Sequence, residues 1–244
     1  MNRKSIERLL QAVIVAACMF AMIDWARNFP YPSALIKPFL DPFHRWPTEQ
    51  VREWVMSGNI DPEFLSFFYR DPERSIPEGE NMVSPADGRV IDITVKDGVR
   101  YVVIALTFWD VHVQRHPVSG VVTEISSLGD KLMDGEGRNL VFLREKHAPV
   151  QKRICYETDV WDDVCVRLIT SYLARRIEVW SKVGDHVVKG QRLGRILLGS
   201  TVVLEVNERI PMTARVGERV IAGETIMAEA PDREEQGGQA VNVQ

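Results

Sequence analysis

The sequence is short of cysteine, of basic runs and of long apolar stretches, and each shortage removes a class of function. Cys18, Cys155 and Cys165 are its only cysteines. They are odd in number and none falls in CxxC spacing, so neither a zinc site nor a disulfide framework is expected, and a reducing, cytoplasmic-side setting fits best. No Lys/Arg run interleaved with aromatics occurs, and the net charge of -4 with a pI near 5.8 argues against a nucleic-acid partner, which would need a basic face. One segment is membrane-like. Residues 9–23 are apolar apart from Gln11, with Arg3, Lys4 and Arg8 before them and Asp24 and Arg27 after. That run falls below the ~20 residues a spanning helix usually needs, so residues 1–27 are expected to form a short or one-leaflet anchor at the cell membrane. Basic residues on both sides leave the positive-inside rule without a preference.

What is present reads as globular, since hydrophobic residues make up 45% and charged residues 26% of the chain, enough for one substantial core. Residues 28–74 begin as a proline-broken linker containing Pro30, Pro32, Pro38, Pro42 and Pro47. A short helix is predicted after Pro47, with Val51, Trp54 and Val55 on one face and Gly58 as its stop. Asp61 and Pro62 then form an N-cap and first helical residue. The next turn crowds Phe64, Leu65, Phe67 and Phe68 together, either as core aromatics or as an exposed apolar patch against lipid.

From residue 75 to 230 the texture changes to short β-branched runs punctuated by glycine. Two internal echoes occur there. Pro85, Gly88, Val90, Ile93 recur as Pro117, Gly120, Val122, Ile125, and Val183, Gly184, Asp185, Val187, Gly190 recur as Val216, Gly217, Glu218, Val220, Gly223. Repeated turn-plus-strand units predict a mainly β (α+β) fold, a compact barrel or sandwich of short strands with hammerhead-like hairpins, preceded by the N-terminal helices. Residues 231–244, rich in Gln, Glu and Gly, are expected to be disordered.

Three stretches carry candidate chemistry. The first is LLGSTVV, Leu197 to Val203, in which a Gly-Ser bond interrupts two β-prone runs. A glycine inside a strand marks a bulge, a bend or close backbone approach. It also leaves the Gly199 carbonyl uncrowded, so the Ser200 hydroxyl could attack it, shift the chain from amide to ester and, after β-elimination and hydrolysis, leave residue 200 as a pyruvoyl group. The second stretch is FWDVHVQRHP, Phe108 to Pro117, which places Asp110, His112, Arg115 and His116 together. In an extended strand Asp110, His112 and Gln114 share one face while Val111 and Val113 turn to the core. The third is SPADG, Ser84 to Gly88, whose Asp87 either closes its own turn or supplies a carboxylate.

Together with the run FFYRDPERSIPEGENMVSPADGRV, these stretches resemble phosphatidylserine decarboxylase proenzymes, in the same order and with fitting separations. The resemblance implies self-cleavage between Gly199 and Ser200 into a β chain of residues 1–199 and an α chain of residues 200–244. It implies a covalent pyruvoyl cofactor made from Ser200, with no pyridoxal phosphate and no metal. Asp87 would orient a histidine of the DVH segment, which deprotonates Ser200, and the headgroup amine of a membrane phospholipid would then be held as a Schiff base while CO2 departs. The longer family branch has a second histidine where this chain has Arg115, and an arginine cannot act as a base. His112 therefore serves both steps, or His116 takes the first. Arg115, or the basic residues near Arg70 and Arg74, are candidates for holding the lipid phosphate or carboxylate. A homo-oligomer is expected by family likeness.

Three other readings compete. The Val-Gly-Asp/Glu echo also resembles biotinyl and lipoyl carrier hairpins, but the last lysine is Lys189 and the attachment lysine between the two copies is missing. A pyruvoyl decarboxylase of a soluble amine precursor would have little use for residues 9–23. A decarboxylase of another serine lipid, such as archaetidylserine, would share the headgroup chemistry.

Overall fold

The computed structural model describes residues 3–29, 31, 35–129, 150–170, 176–197 and 200–230. The chain divides into two units, Met1–Phe64 and Leu65–Gln244. The expected disorder of residues 231–244 lies outside the described residues.

The first unit is helical. Helix α1 (Arg3–Asn28) has no buried residue in its apolar window, and over Arg3–Arg27 it is long and apolar enough to cross a membrane by length and composition. It outruns the apolar segment that predicted it because nothing between Ile23 and Arg27 breaks a helix, and charged residues are tolerated at its ends. Helix α2 (Pro42–Arg45) starts at Asp41, whose carboxylate accepts from Phe43 N at 3.0 Å and His44 N at 3.2 Å. Helix α3 (Thr48–Ser57) ends as expected at Gly58, which takes the left-handed conformation at φ 77°. Helix α4 (Pro62–Phe68) is capped by Asp61, whose carboxylate accepts from Glu63 N and Phe64 N. Phe64 is buried against Trp46 and Trp54, Phe68 is buried too, and Leu65 and Phe67 are half-buried. The aromatic cluster is therefore mainly packing, and the exposed patch considered for it does not form.

The second unit is built of β1 (Met82–Val83), β2 (Gly88–Lys96), β3 (Val99–Leu106), β4 (Val113–Arg115), β5 (Gly120–Leu128), β6 (Gln151–Glu157), β7 (Val164–Thr170), β8 (Arg176–Val179), β9 (His186–Val187), β10 (Arg192–Leu197), β11 (Ser200–Asn207), β12 (Arg219–Val220) and β13 (Ile226–Ala228). Among the described residues they form an eight-stranded sheet in the order β12-β2-β3-β11-β7-β6-β5-β9, a three-stranded sheet β4-β10-β8 and the pair β1-β13. The small sheets share one core with the inner face of the large one, where Val102, Ile104, Val202, Leu204, Val166 and Leu168 meet Leu193, Ile196 and Met227. This is the mainly β sandwich expected.

The two echoes are the sequence trace of an internal two-fold pseudosymmetry. Strands β1 to β3 with β11 to β13 make one half, and β4 to β7 with β9 and β10 make the other, so the large sheet reads as a palindrome. Hydrogen bonds come in matching pairs. Val83 N donates to Pro117 O as Arg115 N does to Pro85 O, both at 2.9 Å, and Gly217 N donates to Val90 O at 2.7 Å as Gly184 N does to Val122 O at 2.8 Å. Both hairpins carry a register shift at the same place, between Val90 and Asp92 and between Val122 and Glu124. The shared glycine has one cause: a Cβ on Gly88 would lie 2.4 Å from Ala105 O, and one on Gly120 2.3 Å from Glu157 O.

One expectation is overturned. Cys155 and Cys165 stand opposite each other in β6 and β7, with Cα atoms 4.1 Å apart, and form a disulfide. A hairpin brings into register two residues that no spacing motif links. The cysteine argument for a reducing setting falls with that pairing.

Candidate active site

Strand register brings the three motif stretches to one end of the large sheet. Ser200 opens β11 with its backbone beside Leu106, the last residue of β3, and beside Thr170 of β7. Gly199 lies outside the described residues. Past Leu106 the chain leaves the sheet through Thr107 to His112 before β4 begins. Arg89 of β2 faces Ala105, so Asp87, two residues earlier, arrives at that same end.

His112 is 2% exposed and packs on the Phe68 ring, with centroids 4.1 Å apart. Its Nδ1 lies 3.0 Å from the Asp110 carbonyl oxygen. A carbonyl can only accept, so Nδ1 carries the proton and Nε2 keeps its lone pair. Nε2 is buried and has no hydrogen-bond partner among the described residues. Burial pushes the ring pKa down to about 4, against the opposing pull of Asp110. The result is a neutral imidazole with one unused basic nitrogen.

The carboxylate of Asp110 is itself fully engaged. It accepts from Thr107 N and Thr107 Oγ1, both at 2.7 Å, and from the Arg219 guanidinium. Asp87 accepts two bonds from Arg74, at 3.0 and 3.1 Å, and one from Ala222 N at 2.8 Å. Arg70 donates to the carbonyls of Phe67 and Trp109 and feels the charges of both Asp87 and Asp110. Asp87, Asp110 and His112 thus belong to one polar cluster balanced by Arg70, Arg74 and Arg219. Orientation of His112 comes from the Asp110 carbonyl and Phe68, and the Asp87 carboxylate makes no hydrogen bond to that ring.

The alternation expected for this segment does not hold. Only Val113–Arg115 is strand, and every residue from Asp110 to Val118 is buried, because protein covers both sides. His116 is separate from the cluster. Its Nδ1 is 2.9 Å from the Tyr156 hydroxyl and its Nε2 2.8 Å from Ser181 Oγ, and burial lowers its pKa to about 4. With both nitrogens occupied it has none to offer as a base. Arg115 donates to Gly190 O, Asp71 and Pro72 O, so it ties the segment before β1 to the turn after β9 and leaves little for a ligand. Sequence reasoning missed Arg219 and the bond from Arg74 to Asp87. The motif strings gave no sign of either.

The phosphatidylserine decarboxylase family model matches residues 62–228. A phosphatidylserine decarboxylase proenzyme of Solibacter usitatus is 36% identical over 171 residues, covering 70% of this chain and 80% of the relative. One from Symbiobacterium thermophilum is 34% identical over 176 residues, covering 69% and 80%. A protein of Methanosarcina acetivorans, provisionally named an archaetidylserine decarboxylase proenzyme, is 32% identical over 229 residues, covering 93% and 96%. The matched span holds all three motif stretches and both halves of the pseudosymmetric sheet, and the chain belongs to the phosphatidylserine decarboxylase family.

Proposed function

We propose that this protein is a self-processing carboxy-lyase that converts phosphatidylserine to phosphatidylethanolamine and CO2, with a pyruvoyl group made from Ser200. The observation that carries this reading is the single-tautomer His112, whose free Nε2 lies at the sheet end where β11 begins. In the first step Nε2 takes the Ser200 hydroxyl proton and the oxygen attacks the Gly199 carbonyl; the Gly199–Ser200 C–N bond breaks as the nitrogen is protonated, β-elimination expels the Gly199 carboxylate from the resulting ester, and water hydrolyses the remaining enamine with loss of ammonia. The Asp110 carbonyl keeps Nδ1 protonated throughout, so the ring presents the same nitrogen each time. Phe68 keeps water from its flank. The Asp110 charge favours the imidazolium that forms when His112 takes a proton, and Asp87 is held in the neighbouring turn by Arg74 and Ala222 N–H. The pyruvoyl group supplies an electrophilic ketone for the headgroup amine and a sink for the electron pair that CO2 leaves behind. His112 would take the proton released as the headgroup ammonium condenses with the ketone and would deliver it to the carbon that loses CO2.

Helix α1 supplies the membrane attachment that a phospholipid substrate calls for. The Methanosarcina relative supports the same serine headgroup on an archaeal lipid as a second substrate, because headgroup chemistry ignores the tail. The test is intact mass spectrometry of the wild type beside Ser200→Ala, followed by CO2 release from phosphatidylserine and archaetidylserine micelles. Wild-type chains split after residue 199, a blocked α chain with the pyruvoyl mass and an uncut variant are expected. An uncut, folded wild type that releases no CO2 overturns the reading.

A further inference from the structure

Arg219 and Arg89 stand directly opposite each other in β12 and β2. Like charges at opposed positions of an antiparallel pair repel, and both side chains lie on the exposed face. Arg89 donates to Gly217 O at 2.6 Å and has no carboxylate partner among the described residues. Arg219 caps a carboxylate far more buried than itself: its side chain is 59% exposed against 1% for Asp110. One of its nitrogens is committed to that carboxylate. The rest of the guanidinium fork faces outward, held in orientation by a residue whose carbonyl also fixes His112.

Resting on the function proposed above, we infer that Arg219 and Arg89 form the seat for the phosphodiester of the lipid headgroup. Two guanidinium groups against one buried carboxylate leave a net positive charge at the edge of the cluster. A planar fork with free donors matches a phosphate oxygen pair. The substrate's own carboxylate is the wrong occupant. A cation clamped on the group that departs as CO2 would stabilise the ground state and slow its loss, whereas binding energy placed on the phosphate, which does not react, positions the headgroup without that cost. The phosphodiester is also the part of the headgroup that joins it to the lipid, so a seat for it at the exposed rim leaves the amine to reach inward.

The test uses the processed enzyme in mixed micelles, with rates normalised to the cleaved fraction measured by mass. It also uses calorimetric binding of glycerophosphoethanolamine, which carries the phosphodiester and is not turned over. Arg219→Ala and Arg89→Ala are each expected to raise KM and weaken glycerophosphoethanolamine binding by about tenfold to a hundredfold, with kcat nearly held in Arg89→Ala, ethanolamine binding unchanged and partial recovery in Arg219→Lys. Arg89 makes a single contact to a backbone carbonyl, so its variant keeps the test valid if Arg219→Ala misfolds. Unchanged KM and binding in Arg89→Ala overturn the inference. So does a fall in kcat alone in Arg219→Ala, which would make that residue a support for Asp110 and His112. Inorganic phosphate binding as tightly as glycerophosphoethanolamine would make the pair a general anion seat and overturn it as well. A wild type that is neither cut nor active defeats the functional reading instead, so the two failures are distinct.

Discussion

At one end of the pseudosymmetric sheet Ala222 N–H donates to the Asp87 carboxylate at 2.8 Å, and at the matching end Lys189 N–H donates to the Ser119 hydroxyl at 3.0 Å. The backbone contact is the same, but an ion at the first end is a neutral group at the second. Arg74 answers Asp87. At the other end Lys189 turns its ammonium inward to Gly79 O at 2.7 Å and Asn81 Oδ1 at 2.6 Å, beside a polar cavity of about 470 Å³ that Glu80, Glu157 and Trp161 help to line. The connections differ too. Residues 107–112 cross from one half of the fold to the other and carry Asp110 and His112, and Ser200 opens the strand, β11, at which the chain is back in the first half. The matching turn, from β6 to β7, stays within its half and is closed by Thr158 Oγ1 bonded to Trp161. Duplicated backbone builds two equivalent ends, and the candidate chemistry lies on the two segments that break the duplication.

The comparison can be broken most severely at its active end. His112→Ala should slow self-cleavage by about 10²- to 10⁴-fold, as followed by the rate of α-chain appearance, and lower the melting temperature as well, because it empties a buried site against Phe68. Asp87→Ser, which gives the active end the residue of its counterpart, should slow it in the same direction and less.

Acid should strain both sides of the comparison equally. His112 and His116 each have a folded pKa of about 4 against an ordinary value near 6.5. Their stabilising contribution is full above about pH 6.5 and is lost as pH falls toward 4, on the order of 3 kcal/mol per ring at most. Denaturant midpoints between pH 7 and 4 will show it, and His116→Phe should flatten part of the slope while the chain still cleaves itself.

Smaller effects belong to the half without the chemistry. Replacing Cys155 and Cys165 by serine should cost about 2–3 kcal/mol on the chain-entropy account for a sequence separation of 10, read as a lower melting temperature with cleavage retained. Lys189→Met removes two hydrogen bonds near the Ser119 end and should cost about 1–2 kcal/mol, again with cleavage retained. Ser119→Asp should change stability by less than about 1 kcal/mol and confer no second activity, because the segment that carries His112 and the start of β11 at Ser200 both lie at the other end. Loss of cleavage in either of the last two variants would show that the halves are coupled.

The sequence showed the duplication because its cause is local. Gly88 and Gly120 recur where a side chain would strike a neighbouring carbonyl, and the capped starts at Asp61 and the stop at Gly58 were readable for the same reason. Ser200, His112 and Asp87 were nameable as a set only through resemblance, since their meeting depends on the register of β11 and β2 against β3. Partners that fix roles were hidden by distance along the chain. Tyr156 and Ser181 occupy His116, Arg74 holds Asp87, and Arg219 reaches Asp110 from the far end of the domain. The strand rule failed at Asp110 to Gln114 because alternation predicts exposure only where one face meets water.

Strand β11 is bonded along one side to β3 and along the other to β7, β12 to β2 and β13 to β1. A cut ahead of β11 would therefore sever the covalent thread without releasing the piece beyond it. The mature protein would be two polypeptides knitted into one sheet, with Val202, Leu204 and Val206 buried in a core lined mainly by the other chain. Dilution should not part them, and the small chain could leave only if the large one unfolded around it.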